Sequence, residues 1–552
     1  MSSKKDLSSV PKHSEDIDNS SSEKISEKRL SRSQDDASHH QEDLATGDVA
    51  IVAVKGERLN PWSKESFILY FCCFTSFLCA CALGYDGTVM TAINIMPYYQ
   101  GTSYNAPPLW KTTGLIFAIF NIGSLSSPWF AGPIADRFGR RASVFFGAAF
   151  ITIGGILTSS ANHRSQLLAG RFVLGFGTSF MTSGAPSFIA ELPPVHWRGR
   201  MTAFFGIGWF GGSIPAAAIC LGTQNIQSHW SWRLPFLLQA APAVFIMAVV
   251  FFLPETPRWL LANGREEEAH AFLVRFHGNN DPNHPLVVAE WREMKEGTSQ
   301  NGSDKRPWDY SELFKTRNAR YRITLAIMLG VFGQFSGNGL GYFNTQIFDA
   351  IGYSVHDQFV LNLGNSIVAA IGATVGALLA DKMPRRTALI WGTLGCAIFL
   401  AINGALSTRW AQLPVDAKNL SIGRAAAASY FLFYFIFSFT YTPLQGLYPV
   451  EVLTTTTRAK GMSLYSVVSG LFSFINLYAT PIALEKIQYK YVFIFVGWDL
   501  IETVAWYFTA VETCGRSLEE LEEIFSDPRP IKKSIELRKK AAALMDEKNA
   551  PA

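Results

Sequence analysis

A chain of 552 residues would suggest several soluble domains, but 48% apolar and 13% aromatic residues against only 17% charged exclude that reading. The net charge of +4 says little about partners, because Lys and Arg gather at the chain ends and in a few loops. Five runs carry no formal charge: Ser66–Tyr85, Ser143–Ala161, Ile323–Phe348, Thr387–Thr408 and Gly461–Leu484. Each has the roughly 17–25 residues that cross a bilayer, so this is a polytopic helical membrane protein.

In chain order, residues 1–60 are serine-rich with mixed Lys, Glu and Asp and no apolar periodicity. They read as a disordered cytoplasmic tail whose serines are candidate phosphorylation sites, with no cleavable signal peptide. A first six-helix half follows over 61–253, with spans at about 66–94, 110–130, 142–161, 166–189, 201–222 and 234–253. Residues 254–322 form a polar linker with short helices; within it Glu266–Phe276, EEEAHAFLVRF, places its apolar residues along one face. A second half covers 323–511, with spans at about 323–348, 358–380, 387–407, 425–449, 461–483 and 490–511, and a charged helical tail occupies 512–552. The fold class is therefore all-α membrane protein, with twelve transmembrane helices in two six-helix halves. The seven cysteines fall mostly in the apolar helices without metal-ligand spacing, which argues for buried thiols rather than disulfides or a metal site.

Basic residues cluster on alternate loops: Arg137, Arg140 and Arg141; Arg198 and Arg200; Lys382, Arg385 and Arg386; Arg458 and Lys460. The positive-inside rule puts those loops, the linker and both termini in the cytoplasm, leaving Asn419 outside as a weak glycosylation acceptor.

Three signatures recur in the same order. Asp136 with Arg140 matches Asp381 with Arg385, Glu191 with Arg198 matches Glu451 with Arg458, and Glu255-Thr256 matches Glu512-Thr513. The second half thus reads as a copy of the first, an organisation that places a transport site between the halves near mid-bilayer.

These residues sit in longer motifs: GYDGTVM at 84–90, GPIADRFGRR at 132–141, GRFVLGFG at 170–177, PETPRWLL at 254–261, QFSGNG at 334–339 and VETCGRSLEEL at 511–521. Over nearly all of 60–525 the chain resembles the sugar-porter branch of the major facilitator superfamily. SGNG, the long linker and YTPLQGLYPVEV at 441–452 look most like fungal lactose and cellodextrin permeases.

The resemblance implies a cytoplasmic gate of salt bridges that holds the halves together. Its first-half members would be Asp136, Arg140, Arg141, Glu191, Arg198, Glu255 and Arg258. The second half would supply Asp381, Arg385, Arg386, Glu451, Arg458 and Glu512. Solvated topology anchors are the plainer reading of the same charges. Pro384 in place of the usual glycine, and Cys514 in place of the usual lysine, predict a looser second-half latch.

Asp86 and Arg171 are the deepest ionisable residues of the first half, where an unpaired charge is costly. The resemblance implies proton coupling through this pair, the carboxylate alternating between Arg-paired and protonated states; a fixed structural ion pair is the alternative. Asp499 and Glu502 in the last span read as near the interface or hydrogen-bonded structurally.

A sugar site needs amides and hydroxyls beside an aromatic surface. Candidates are Asn121, Gln334, Asn338, Tyr342, Gln445 and Asn476, with Trp209 as a stacking ring; interhelical hydrogen bonding is the competing role for the amides. Gly206 stands where sugar porters of this kind carry Gln or Asn, and Gly339 and Gly341 where related permeases are bulkier, which predicts a roomier pocket.

The reading is a secondary active transporter of a hexose, disaccharide or glycoside in the plasma membrane, monomeric, with no enzyme activity or nucleic-acid partner. It has no cofactor, the proton being the coupling ion. The rivals are a carrier of a non-sugar fungal metabolite and a non-transporting sensor.

Overall fold

A computed structural model describes residues 60–101, 109–301, 310–414, 420–454, 457–487, 490–514, 516 and 518–537. Side chains at 109–113, 195–196, 198–200, 202–203, 296–301, 338, 350, 381, 420, 459 and 518–519 lie outside that description. The tail before Asn60 and the glycosylation candidate Asn419 also lie outside the described residues.

By internal contacts the chain divides into two units. The smaller centres on residues 260–305 and holds two helices, Glu266–Phe276 and Pro285–Asn301. The first buries Ala269, Phe272, Leu273 and Phe276 along one face, and His277 hydrogen-bonds Glu290. Lys295 pairs with Glu266 at 2.9 Å.

The larger unit carries the membrane spans. Among the described residues, ten stretches are long and apolar enough to cross a bilayer. An eleventh span is a bent pair, Gly114–Ser126 and Pro128–Phe138, turned by 41°. Pro128 opens the second piece, where a missing N–H costs nothing. The twelfth is Arg164–Glu191, whose 28 residues suffice in length although Arg164, Arg171 and Glu191 lower its apolarity. We number the spans one to twelve: Lys64–Ile93, Leu109–Phe138, Arg140–Ser159, Arg164–Glu191, Val195–Thr223, Trp230–Phe252, Arg317–Ala350, Val355–Leu379, Arg385–Gln412, Leu420–Val452, Arg458–Ile487 and Tyr491–Thr509. Most run past the apolar stretches at the charged-turn end, because the helix continues into the basic loops and leaves only one or a few residues to turn.

Two irregularities position the site. Spans one and five cross closely at Gly84 and Gly212, where an added Cβ would fall 1.7 Å from the carbonyl oxygen of Trp209 and 1.8 Å from that of Cys81. Such approach of backbones needs small residues. Span seven is broken: an α-helix ends at Phe335, Gly337 adopts φ +90°, and a 3-10 turn over Asn338–Phe343 leads into Asn344–Ala350. Only glycine takes that conformation freely, and the break swings the following residues toward the first half.

Contacts between the halves gather toward the end away from the charged turns. Thr345 donates to the Thr91 carbonyl at 3.0 Å, Gln224 meets His356 at 2.9 Å, and Phe117 packs against Tyr342 and Phe343.

Candidate functional site

Span one delivers Asp86 and span four delivers Arg171 to the same buried point. The Arg171 Nη1 lies 2.5 Å from Asp86 Oδ1, and Gln239 of span six donates its Nε2 to that same oxygen at 2.7 Å. The guanidinium also stands over the Phe120 ring, 4.9 Å from its centroid. Asp86, Arg171 and Gln239 are all buried. The carboxylate here thus has a cation and an amide donor opposite it, and the cation in turn has an aromatic face, the combination that lets a charge pair persist in hydrocarbon. Gln239 was not singled out by the sequence, since an amide in an apolar span has no distinguishing pattern.

One residue along, Gly87 faces a cavity of about 270 Å³ between the halves. A Cβ at Gly87 would meet the Trp209 indole at 3.0 Å and the Tyr342 ring at 3.5 Å, so its absence lets the two aromatics approach. Span eight contributes Asn362, Asn365 and Ser366, and span ten contributes Tyr434, Ser438 and Gln445. Polar contacts run around the wall. Thr88 donates to Ser213 at 2.8 Å, Ser213 to Ser366 at 3.2 Å, and Asn344 to Asn362 at 3.2 Å. The Asn362 Nδ2 and the Asn365 Oδ1 are buried without a partner among the described residues. Amides and hydroxyls beside two aromatics give the cavity a lining suited to a polyhydroxylated ligand.

Of the substrate candidates, the cavity therefore brings together Trp209, Tyr342 and Gln445. Asn121 is not among its lining residues, and its Nδ2 is buried without a partner among the described residues. Gln334 donates to Ser469 at 3.0 Å, while its carbonyl accepts from Asn476 Nδ2 at 2.7 Å. Asn476 Oδ1 in turn accepts from Thr480, so both amides are engaged in joining spans seven and eleven. The Asn338 side chain lies outside the described residues. The expected extra room is not found in the cavity wall, since Gly206 is exposed and is not among the lining residues. An added Cβ at Gly206 would meet nothing within 4 Å, whereas at Gly339 it would strike the Asn476 amide at 2.1 Å and at Gly341 the Tyr434 hydroxyl at 2.0 Å. The Asn362, Asn365 and Ser366 set was missed, although LNLGNSI spaces these polar groups three and four apart on one face of an apolar helix.

The last span holds a surprise of placement. Asp499 and Glu502 are fully buried, well away from the ends of the helix. Ser336, at the break in span seven, donates to Glu502 Oε2 at 2.5 Å, and Tyr441 donates to the same oxygen at 3.2 Å. Both Asp499 oxygens lack a hydrogen-bond partner among the described residues. An interfacial position is therefore excluded, and the hydrogen-bonded alternative describes Glu502.

The charged turns repeat in detail. Glu255 accepts the backbone N–H of Arg140 and of Arg141 at 3.3 Å each, capping the N-terminus of span three; Glu512 accepts the N–H of Arg385 at 2.8 Å at the start of span nine. A carboxylate at a helix N-terminus satisfies orphan donors and the helix dipole together. Arg140 bridges to Asp136 at 3.3 Å and to Glu191 at 3.5 Å, and Arg385 bridges to Glu451 at 2.7 Å. Arg141 pairs with Glu255 at 3.3 Å and donates to the Leu253 carbonyl at 2.6 Å; Arg386 donates to the Ala510 carbonyl at 2.7 Å. Each of these contacts joins helices of one half. Arg258 is exposed in the helix Pro257–Ala262, and Arg458 opens span eleven with its Nε unpartnered among the described residues. The Arg198 and Asp381 side chains lie outside the described residues.

The expected looseness of the second-half turn is reversed. Arg385 is buried and reaches both oxygens of Glu451, at 2.7 and 3.1 Å, whereas the first-half equivalent stands at 3.5 Å. Pro384 causes no harm because it takes the N-cap position with φ −64°, a value its ring favours, while Gly139 makes the corresponding turn at φ +97°.

Residues 72–525 match the profile of the family described as "Sugar (and other) transporter". The chain belongs to this family. Among its relatives are the MFS-type transporter criB of Aspergillus cristatus, 28% identical over 82% of this chain and 92% of that one, and the MFS glucose transporter mfs1 of Aspergillus flavus, 27% identical over 88% and 94%. The high-affinity glucose transporter of Kluyveromyces lactis is 27% identical over 84% and 86%. In fold, the transporter is similar to the xylose transporter XylE from E. coli in a partially occluded inward-open conformation. That match has a TM-score of 0.67 at 20% identity, over 82% of this chain and all of that one. The twelve-helix major facilitator fold and a transport rather than enzymatic role follow for this family member.

Proposed function

We propose that this transporter carries a single hexose-sized sugar by alternating access, with a proton moving through Asp86. The observation that carries the reading is a cavity walled by the Trp209 and Tyr342 rings, with the amides of Asn362, Asn365 and Gln445 among its lining side chains. A volume of about 270 Å³ lies just below the roughly 300–1,000 Å³ typical of ligand pockets, which favours one sugar ring over two. The relatives named as glucose transporters, and a structural neighbour named as a proton:xylose symporter, support a monosaccharide and symport.

Asp86 and the cavity are adjacent through Gly87, so a change in the Asp86–Arg171 pair is felt where the ligand sits. The helix-capping charges at the turns brace each half as a rigid body. In this reading they set the balance between inward- and outward-facing states from the cytoplasmic side of a plasma membrane, with both termini inside and the protein acting as a monomer. The test is uptake of labelled glucose, xylose, lactose and cellobiose by transporter-null cells expressing the chain, with and without a protonophore. Accumulation of a hexose that rises at acid pH and collapses with the protonophore supports the proposal; efficient accumulation of a disaccharide alone refutes its size argument. A non-sugar ligand is the second reading. It draws on relatives named only as MFS-type transporters.

A further inference from the structure

Where span seven begins and span twelve ends, a second pocket of about 1220 Å³ opens beside the tail segment Ser526–Ile535. Its lining carries five cations, Arg317, Arg320, Arg386, Arg529 and Lys532, against one carboxylate, Asp527. Arg386 spends its donors on the carbonyls of Tyr507 and Ala510. No ion pair to the other four side chains is found among the described residues.

The floor has the opposite character. Tyr507 and Phe508 are 58% and 68% exposed at the end of span twelve, and Ile535 faces them from the tail. The pocket is a built feature of the chain rather than a chance meeting of loops. The helix Leu518–Ser526 is fastened to span seven by Arg322 to Glu522 at 2.6 Å, by Asn318 to Glu522 at 2.8 Å, and by Phe525 against the Tyr321 ring. After it the chain turns through Pro528 and Pro530, which lays Arg529 and Lys532 over the basic start of span seven.

We propose that this pocket binds the headgroup of an anionic phospholipid, with one acyl chain against Tyr507 and Phe508. The inference is independent of the sugar cavity and needs only that the spans cross a bilayer. A soluble phosphate would satisfy the arginines but leave the exposed area of Tyr507 and Phe508 uncovered. A lipid satisfies both at once, because charge and hydrocarbon lie side by side at the end of a membrane helix. Basic pockets between helices at the membrane surface have this chemistry, and aromatic rings favour the same depth.

The test uses the purified full-length protein in neutral detergent. Binding of phosphatidylserine, phosphatidylinositol and phosphatidylcholine is measured by native mass spectrometry and by the shift in melting temperature. Inorganic phosphate and glycerophosphoserine serve as soluble arms. The anionic lipids should bind about tenfold or more tightly than phosphatidylcholine. The R317Q/R320Q/R529Q/K532Q variant should remove that preference, and F508S should weaken lipid binding while leaving the soluble headgroup unaffected. Should the quadruple variant not fold, R320Q and K532Q singly should each lose part of the preference. Equal binding of phosphatidylcholine, full stabilisation by inorganic phosphate alone, or retention of the preference in the folded variants would each overturn the proposal. So would a pocket that no added lipid enters.

Discussion

Each half of this transporter buries acid in the membrane, and the two halves do it by opposite means. In the first half, Asp86 meets a guanidinium at 2.5 Å and an amide donor at 2.7 Å, and lies one residue from the cavity between the halves. In the second half, Asp499 and Glu502 sit three residues apart on one helix; Glu502 has a serine and a tyrosine, Asp499 nothing, and neither makes an ion pair among the described residues. Two ionised carboxylates without a cation would cost several kcal/mol in hydrocarbon, so the two cannot both carry charge there. The first site is built to hold a charge and to be disturbed when that charge is lost. The second is built to be neutral, and its one strong contact ties span twelve to the break in span seven through Ser336.

The comparison breaks most severely when the first-half cation is taken away. Arg171→Met keeps the bulk but leaves Asp86 buried with only Gln239 opposite it. Removing one partner of a buried ion pair costs about 3–5 kcal/mol. Thermal unfolding in detergent should show that loss, and uptake should be abolished; a melting temperature near that of the parent would mean that Asp86 does not depend on Arg171. Asp86→Asn should be milder, about 2 kcal/mol, because the amide oxygen can still accept from Arg171 and Gln239 while Phe120 continues to face the guanidinium. Its transport defect should be selective. Accumulation should vanish and lose its acid dependence, while counterflow exchange, which needs no net proton movement, should persist. Accumulation that still rises at acid pH would remove Asp86 from the coupling step.

Much of this was legible in the sequence, and the boundary is physical. Uncharged runs announce spans because a charge in hydrocarbon is so costly, and for the same reason Asp86 and Arg171 stand out. The recurrence of Glu255 as Glu512 and of Glu191 as Glu451 was visible as spacing, but not that the first pair caps helices and the second grips an arginine. Amides gave the least reliable signal. Gln334 and Asn476 bond to each other's span, Gln239 serves the ion pair, and Asn362 and Asn365 line the cavity. Their sequence context is the same apolar helix in every case; which role each plays depends on rotation about the helix and on the neighbour it meets. The glycines of span seven failed as a size marker because side chains from spans ten and eleven fill the space they leave.

The smallest expected effect is at the second site, where Asp499→Asn tests whether that carboxyl is needed at all. Neither of its oxygens has a partner to lose. The substitution keeps the shape, removes a group that can ionise beside Glu502, and adds an amide whose N–H can reach the free Glu502 Oε1 three residues along the helix. An unsatisfied buried amide would cost about 1–3 kcal/mol; a new hydrogen bond to Glu502 would return about 1 kcal/mol or more. The net change in stability should therefore stay within about 1 kcal/mol of the parent, far from the loss expected for Arg171→Met, and uptake should keep its acid dependence. A fall as large as that of Arg171→Met would show that Asp499 carries a negative charge with a counter-charge of its own. The two halves would then bury acid by the same means after all.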